Sequence, residues 1–218
     1  VGIEGAPRKR MLNINTLLLD KMGIGGMISN ESYGIFRHTT FSAAYSYSLR
    51  FSEAQSLYLG LSASLIDAQI DLSQSGQSSQ TDPSILKYRL HRGTTFDAGM
   101  GFLYQYKKLN VGIVVPRLME NAVKNDEDAG TAIFTLSRHY IFHLSYYYDL
   151  SSEWFLEPIV VFRKTARAPL QYEVSALVNY RKRIWSGITY RKKGSFALNL
   201  GATDERYALS YSYEISAN

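Results

Sequence analysis

The sequence predicts an all-β fold, an up-and-down antiparallel transmembrane β-barrel. Three observations carry this. Apolar and polar residues alternate with period two through nearly every regular run, and side chains alternate across a strand with that same period. Tyrosine stands at both ends of several apolar faces, where a ring with one polar atom suits the lipid–water boundary. The runs are about ten residues long and nearly all are joined by hairpin-length connections, the pattern of a meander closed into a barrel.

The stretch 138–150, RHYIFHLSYYYDL, shows the alternation most fully. Tyr140, Phe142, Leu144, Tyr146, Tyr148 and Leu150 share one parity, while Ile141, His143, Ser145, Tyr147 and Asp149 share the other. With Leu144 toward lipid and Ser145 toward the lumen, arginine should be tolerated less at 144 than at 145. In 172–180, Tyr172, Val174, Ala176, Val178 and Tyr180 oppose Glu173, Ser175 and Asn179. In 196–203, Phe196, Leu198, Leu200 and Ala202 oppose Ala197, Asn199, Gly201 and Thr203; in 207–215, Tyr207, Leu209, Tyr211, Tyr213 and Ile215 oppose Ala208, Ser210, Ser212 and Glu214.

The earlier elements follow the same rule. The first strand, 8–18, sets Leu12, Ile14 and Leu18 against Asn13 and Asn15, and a turn at 19–21 leads into the glycine-rich 22–30. Glycine there permits curvature and close approach of neighbouring strands. A loop at 30–36 contains Gly34. The next strand, 39–51, turns Phe41, Ala43, Tyr45, Tyr47 and Leu49 outward, and after a turn at 52–54 the strand 57–65 does so with Leu57, Leu59, Leu61 and Leu65. The longest irregular stretch is 71–93, with the polar, low-complexity centre SQSGQSSQTDPS. Strand 95–106 presents Phe96, Met100, Phe102, Tyr104 and Tyr106, and Lys107-Lys108 turns it into 109–115. A second long connection, 117–137, carries NDED at 125–128. Beyond the strand at 138–150 come 154–164, 172–180, 184–191, 196–203 and 207–215. Pro158 lies inside 154–164, and because proline cannot donate to a ladder a bulge is expected there. The count is about twelve strands in a single domain over 1–218.

Composition narrows the function classes. Mean hydropathy is slightly negative, as in a barrel whose lipid-facing and lumen-facing residues cancel, and no run approaches the roughly 18 apolar residues of a membrane helix. The absence of cysteine from the sequence excludes disulfide scaffolds and thiolate metal sites. The net charge of +5 is spread over turns such as Lys107-Lys108, Arg181-Lys182-Arg183 and Arg191-Lys192-Lys193, without the stacking platform of a nucleic-acid binder. Glu173 and Glu214 stand on polar faces near arginines such as Arg163 and Arg181, which reads as a charge network inside a barrel. His139 and His143 share a face, but four residues of strand separate them by roughly 13 Å, too far for a shared metal. No GxSxG, HExxH or P-loop is present, and neither an enzymatic role nor a cofactor is expected.

The first seven residues, VGIEGAP, resemble a hallmark of the PorP/SprF family of type IX secretion-system membrane proteins. VPRLMEN at 115–121, RHYIFHLSYYYDL at 138–150 and RAPLQYEVSALVNYRKRIWSGITYR at 167–191 fit the same family in the same order. The resemblance implies an outer-membrane barrel that serves the export or surface attachment of large cargo such as gliding adhesins. It also implies a periplasmic OmpA-like peptidoglycan-binding protein and other type IX components as partners. A signal peptide and first strand before VGIEGAP, and a terminal strand after 207–215, are expected on the family pattern, for about fourteen strands in all.

Long connections of such barrels are extracellular, so 71–93 and 117–137 are expected to meet cargo, with Ile133 and Phe134 as their apolar contacts. Lys107 and Lys108, grouped with the VGIEGAP turn and its Glu4, are expected nearest the periplasmic partners. The competing function is a passive outer-membrane porin or small-solute transporter, motivated by inward polar residues Ser42, Ser46, Gln105, Ser175 and Asn199. A soluble β-sandwich binding module is the third class.

Overall fold

The computed structural model describes residues 7–71, 90–124, 132–166, 168–192, 194–204 and 207–216. The strands are β1 (Arg8–Leu19), β2 (Met22–Tyr33), β3 (Phe36–Ser52), β4 (Gln55–Asp71), β5 (Leu90–Tyr106), β6 (Leu109–Val115), β7 (Ala122–Lys124), β8 (Ala132–Thr135), β9 (His139–Tyr146), β10 (Tyr148–Asp149), β11 (Trp154–Thr165), β12 (Gln171–Tyr180), β13 (Ile184–Arg191), β14 (Ser195–Thr203) and β15 (Ala208–Ser216). One antiparallel sheet takes them in the order β1-β2-β3-β4-β5-β6-β9-β11-β12-β13-β14-β15, with β10 beside β11. This is the up-and-down meander that the alternation predicts, and among the described residues its path is open, from β1 to β15. The sheet runs through two compact units, Val1–Tyr47 with Gly60–Met100 and Pro116–Arg138, and Ser48–Leu59 with Gly101–Val115 and His139–Asn218.

In the second unit the wall is inverted relative to a water-soluble sheet. Along β14 the large apolar side chains are the exposed ones: Leu198 is 54% accessible, while Ala197 beside it is 2% accessible. Ile184, Ile188 and Val174 are likewise exposed, while Thr189 and Ser145 are buried. A sheet that exposes its apolar face and hides its polar one is stable only where the medium on the apolar side is itself apolar.

Aromatic rings bound this exposed band at both ends. Trp154 and Tyr180 pair across β11 and β12 at a ring separation of 4.7 Å. At the other end Tyr190 stands 6.4 Å from Tyr172 and 5.2 Å from Phe196. Eight residues of β11 separate Trp154 from Phe162, which is roughly 27 Å of strand, or about 20 Å across a bilayer at the usual barrel tilt. The outward residues between, Leu156, Pro158 and Val160, are apolar, and the spacing suits the hydrocarbon layer.

The opposite face is held by polar cross-strand bonds. Ser175 Oγ bonds Thr189 Oγ1 at 2.8 Å, Asn199 Nδ2 donates to Thr189 Oγ1 at 3.0 Å, and Ser212 Oγ donates to Asn199 Oδ1 at 2.8 Å, one row across β12 to β15. A second row is ionic: Arg163 pairs with Glu173, Glu173 with Arg191 at 3.2 Å, and Arg191 with Glu214. The expected network is there with one exchange of partners. Arg191 joins Glu173 to Glu214, while Arg181 turns to Glu153, with Nε 2.8 Å from Oε1.

Two expectations fail in this unit. Pro158 causes no bulge: the register Ile159↔Ser145 on one side and Leu156↔Tyr148 on the other are continuous, so no residue is inserted. The ladder instead drops its pairs at 157 and 158 on that side, which divides β9 from β10, and stays intact toward β12 at Pro158↔Ala176. A missing donor requires only a gap. Ser145 is 2% accessible and receives Asn110 Nδ2 at 3.3 Å, so arginine is not the mild change at 145 that its parity alone implied.

The first unit extends beyond its apolar runs. The loop expected at 30–36 is strand on both sides of a tight turn, with pairs from Asn30↔Thr39 to Tyr33↔Phe36 and Gly34 at φ 55°. Polar contacts carry the ladder there: Asn30 Nδ2 donates to Thr39 Oγ1 at 2.9 Å, Lys9 meets Glu31 at 2.6 Å, and Tyr33 Oη lies 2.8 Å from His38 Nε2. β4 and β5 likewise run into the expected loop at 71–93, whose centre lies outside the described residues.

The second long connection contains structure that the sequence reading missed. β7 and β8 form their own hairpin sheet, and NDED at 125–128 lies outside the described residues. The segment VPRLMEN is held by Asp97, a β5 residue 1% accessible, whose Oδ1 accepts from the N–H groups of Ala98 (2.8 Å), Leu118 (3.2 Å) and Met119 (3.1 Å). Asn121 Nδ2 donates to the Phe96 carbonyl at 2.7 Å, and Arg138 Nη2 to the Leu118 carbonyl at 2.5 Å. Gly93 is needed where β7 arrives, because the Lys124 carbonyl and the Val123 side chain occupy the place of a Cβ. Gly93 and Asp97 share the parity opposite to exposed Phe96 and Phe102. Buried Val123 and Leu136 from the connection, with Ile66 and Ala68 from the non-lipid parity of β4, make a small apolar core in this unit. The connection is therefore seated on the polar side of the wall.

Leu198→Arg tests the medium outside the wall. In water an exposed leucine is replaced within about 0.5 kcal/mol, whereas arginine near the bilayer midplane costs about 2–4 kcal/mol. An unfolding titration in lipid vesicles should show the larger loss for Leu198→Arg and a smaller one for Ser46→Arg on the polar face; equal small losses would mean that the exposed face meets water.

Candidate functional site

The short turns of the second unit gather at one end of its strands, each bonded to the next. Lys107 N–H donates to the Ala54 carbonyl (2.8 Å), Tyr147 N–H to Lys108 (2.9 Å), Arg181 N–H to Glu153 (2.7 Å) and Thr203 N–H to Arg183 (2.6 Å). The turn edge is thereby a continuous rim, and the basic residues singled out in the sequence stand on it.

Three of these basic residues hold left-handed backbone: Lys107 at φ 52°, Arg181 at 50° and Lys182 at 58°. Arg183 N–H closes the last turn on the Tyr180 carbonyl at 2.9 Å. Two successive left-handed residues are the geometry for which Asn-Gly is the comfortable choice, and each residue with a Cβ there costs about 1–2 kcal/mol. Part of this is offset by aromatic support: Lys107 lies 5.4 Å from the Tyr106 ring and Arg181 5.1 Å from that of Tyr180.

Behind the rim is a cavity of about 460 Å³, lined by lysines 107, 108 and 182 with Asp149, Glu157 and Asn179 and walled by Tyr147, Phe155 and Trp185. Lys108 pairs with Asp149, and this hydrogen bond holds the lysine above its ordinary pKa. The pair is exposed, so it adds little to stability. Tyr147 and Glu157 both border the cavity. The Trp185 ring lies over Gly201, its cross-strand partner, in space that a side chain at 201 would fill. Asn179 Nδ2 is buried and has no acceptor among the described residues.

The structure brings Lys107 and Lys108 together with Lys182, Asn179 and Trp185, which the sequence reading did not select. Arg181-Lys182-Arg183 was legible as a basic turn, but Asn179 carried no signal beyond its polar parity. Glu4 lies outside the described residues. Ile133 and Phe134 belong to β8, where Phe134 opposes Val123 in the ladder; their side chains lie outside the described residues. β1 starts at Arg8, opposite Ser32, and residues 1–6 of the VGIEGAP turn lie outside the described residues. Among the described residues no cluster of three or more His, Cys, Asp or Glu could hold a metal ion.

A family model described as type IX secretion system membrane protein PorP/SprF matches residues 1–218, the whole chain. The chain belongs to the PorP/SprF family. It is thus a membrane component of the type IX secretion system, and the inverted wall is the physical form of that membership. No curated protein matches the chain. Within a PorP/SprF chain the wall meets lipid, which leaves the strand ends and the inner face to meet other proteins.

Lys182→Gly separates display from stability. Glycine at φ 58° relieves the left-handed strain, so stability in a lipid unfolding titration should rise by about 1 kcal/mol although a charge is lost. A fall would mean that Lys182 makes a stabilising contact in place.

Proposed function

We propose that this chain is an outer-membrane barrel that takes part in the export or surface attachment of large cargo such as gliding adhesins, without a catalytic step of its own. The family match over the whole chain carries the reading. On it, the turn end with Lys107 and Lys108 faces the periplasm and meets an OmpA-like peptidoglycan-binding protein and other type IX components. The long connections, with Ile133 and Phe134, face outward and meet cargo; Glu4 is a further partner contact.

A passive porin is the second reading, and the polar inner face is what favours it. Two features weigh against it. Several inward residues are already bonded to one another: Ser42 to Ser64 at 2.7 Å, Gln105 to Asn110 at 2.9 Å, and Ser175 to Thr189. The connection seated by Asp97 also takes up part of the inner side.

Deleting the gene should abolish surface display of adhesin-type cargo, and the purified protein should show little steady conductance in planar bilayers. Asp97→Leu, which strips the acceptor from three N–H groups, should raise that conductance several-fold, while Asp97→Asn, which keeps an acceptor oxygen, should not. Steady solute conductance by the unaltered protein, together with normal cargo display in the deletion strain, would establish the porin instead.

A further inference from the structure

The groups lining the turn-end cavity are unevenly satisfied. Of its two acids, Asp149 is held by Lys108, which leaves Glu157 against two further lysines, Lys107 and Lys182, in the lining. Lys107 and Lys182 form no ion pair among the described residues, and Asn179 Nδ2 is buried without an acceptor. A buried donor without an acceptor destabilises the fold, and a ligand oxygen removes that cost. The lining therefore carries three cations against two carboxylates, with one buried donor that no described residue accepts.

Its size and walls narrow the class further. A volume of about 460 Å³ lies within the range of ligand pockets and far exceeds a lone carboxylate or phosphate. Phe155 and Trp185 add apolar wall beside the cations. The lysines are exposed and presented from left-handed backbone, so an anion reaches them with little desolvation. A segment that alternates carboxylates with an apolar side chain answers all of these features together.

We propose that this cavity is a docking site for an acidic peptide segment of a partner protein, with carboxylates met by Lys107 and Lys182, an acceptor oxygen on Asn179 Nδ2 and an apolar side chain against Phe155 and Trp185. The proposal rests on the reading of the chain as one component of a multi-protein secretion machine. Rim lysines steer association and make it sensitive to salt, while the buried amide and the aromatic wall fix the register.

The chain has two tryptophans, Trp154 and Trp185, so a Trp154→Phe background leaves Trp185 as the sole reporter inside the cavity. The full chain in nanodiscs is titrated with an acetylated peptide of sequence GDELDEFG, with its amide analogue GNQLNQFG, and with inorganic phosphate. The acidic peptide should change Trp185 emission saturably and weaken with added salt. Lys107→Glu with Lys182→Glu should weaken it about tenfold and Asn179→Leu about fivefold. The charge-matched Lys164→Glu with Lys192→Glu should leave it unchanged; heat-modifiable gel mobility checks folding of every variant. Equal binding of the amide analogue, unchanged binding by the Lys107/Lys182 variant, or saturation by phosphate alone would each overturn the proposal. An in-cell arm keeps the two readings apart. Normal cargo display in the deletion strain removes the secretion reading itself. Lost display in the deletion strain, with unimpaired display and peptide binding in the Lys107/Lys182 variant, removes the docking site alone.

Discussion

The structure depends on one constraint: inside a bilayer every backbone N–H and C=O must find its partner in the protein. A strand meander meets it by pairing each strand with the next, and the register here is unbroken from β11 through β15. Where the pairing fails, the failure is local. Pro158 removes one donor and the ladder gives up two pairs without shifting, because inserting a residue would turn every later side chain to the wrong face. The same constraint bears on β1 and β15, each paired on one side only among the described residues. Lipid offers such an edge nothing, so in the membrane these strands pair with each other or with further strands.

Once the backbone is satisfied, the two faces follow from the two media. The lipid face needs only apolar area and a ring at each boundary, and many sequences meet that demand. The polar face is more specific. Its hydroxyl and amide rows and its alternating Arg–Glu row bind neighbouring strands through side chains, so the members of each row find a partner on the next strand. Asp97 extends this logic from strand to connection: one carboxylate oxygen collects three N–H groups, including two from VPRLMEN, and makes a segment outside the main sheet part of the wall.

Most of the wall was legible in the sequence because period two is a local signal. Phe196, Leu198 and Leu200 announce their face without knowledge of any neighbour. What escaped the reading is what rests on distant partners. The ladder at 30–33 continues past its apolar residues on the Asn30–Thr39 and Tyr33–His38 contacts, which alternation cannot register. β7 and β8 are too short to show a period, and they are held by contacts with Gly93 and Asn121. The resemblance carried by VGIEGAP points to the PorP/SprF family, to which the chain belongs. For the site, the basic turns were legible as composition, whereas the roles of Asn179 and Trp185 needed the cross-strand pair Asn179↔Trp185.

That pairing shows where this chain departs from a generic barrel. A wall made only to cross lipid would turn its hairpins with Asn-Gly and fill its turn-end interior with matched polar groups. Here the turn at 181–182 holds Arg-Lys in left-handed backbone, Lys107 does the same, and an amide is left buried beside them with no acceptor among the described residues. Each departure lowers stability, and all fall within one rim of four stitched turns. Left-handed backbone at Lys107, Arg181 and Lys182, gathered on one rim beside the unmatched amide of Asn179, marks that rim as a part of the molecule shaped by something other than folding.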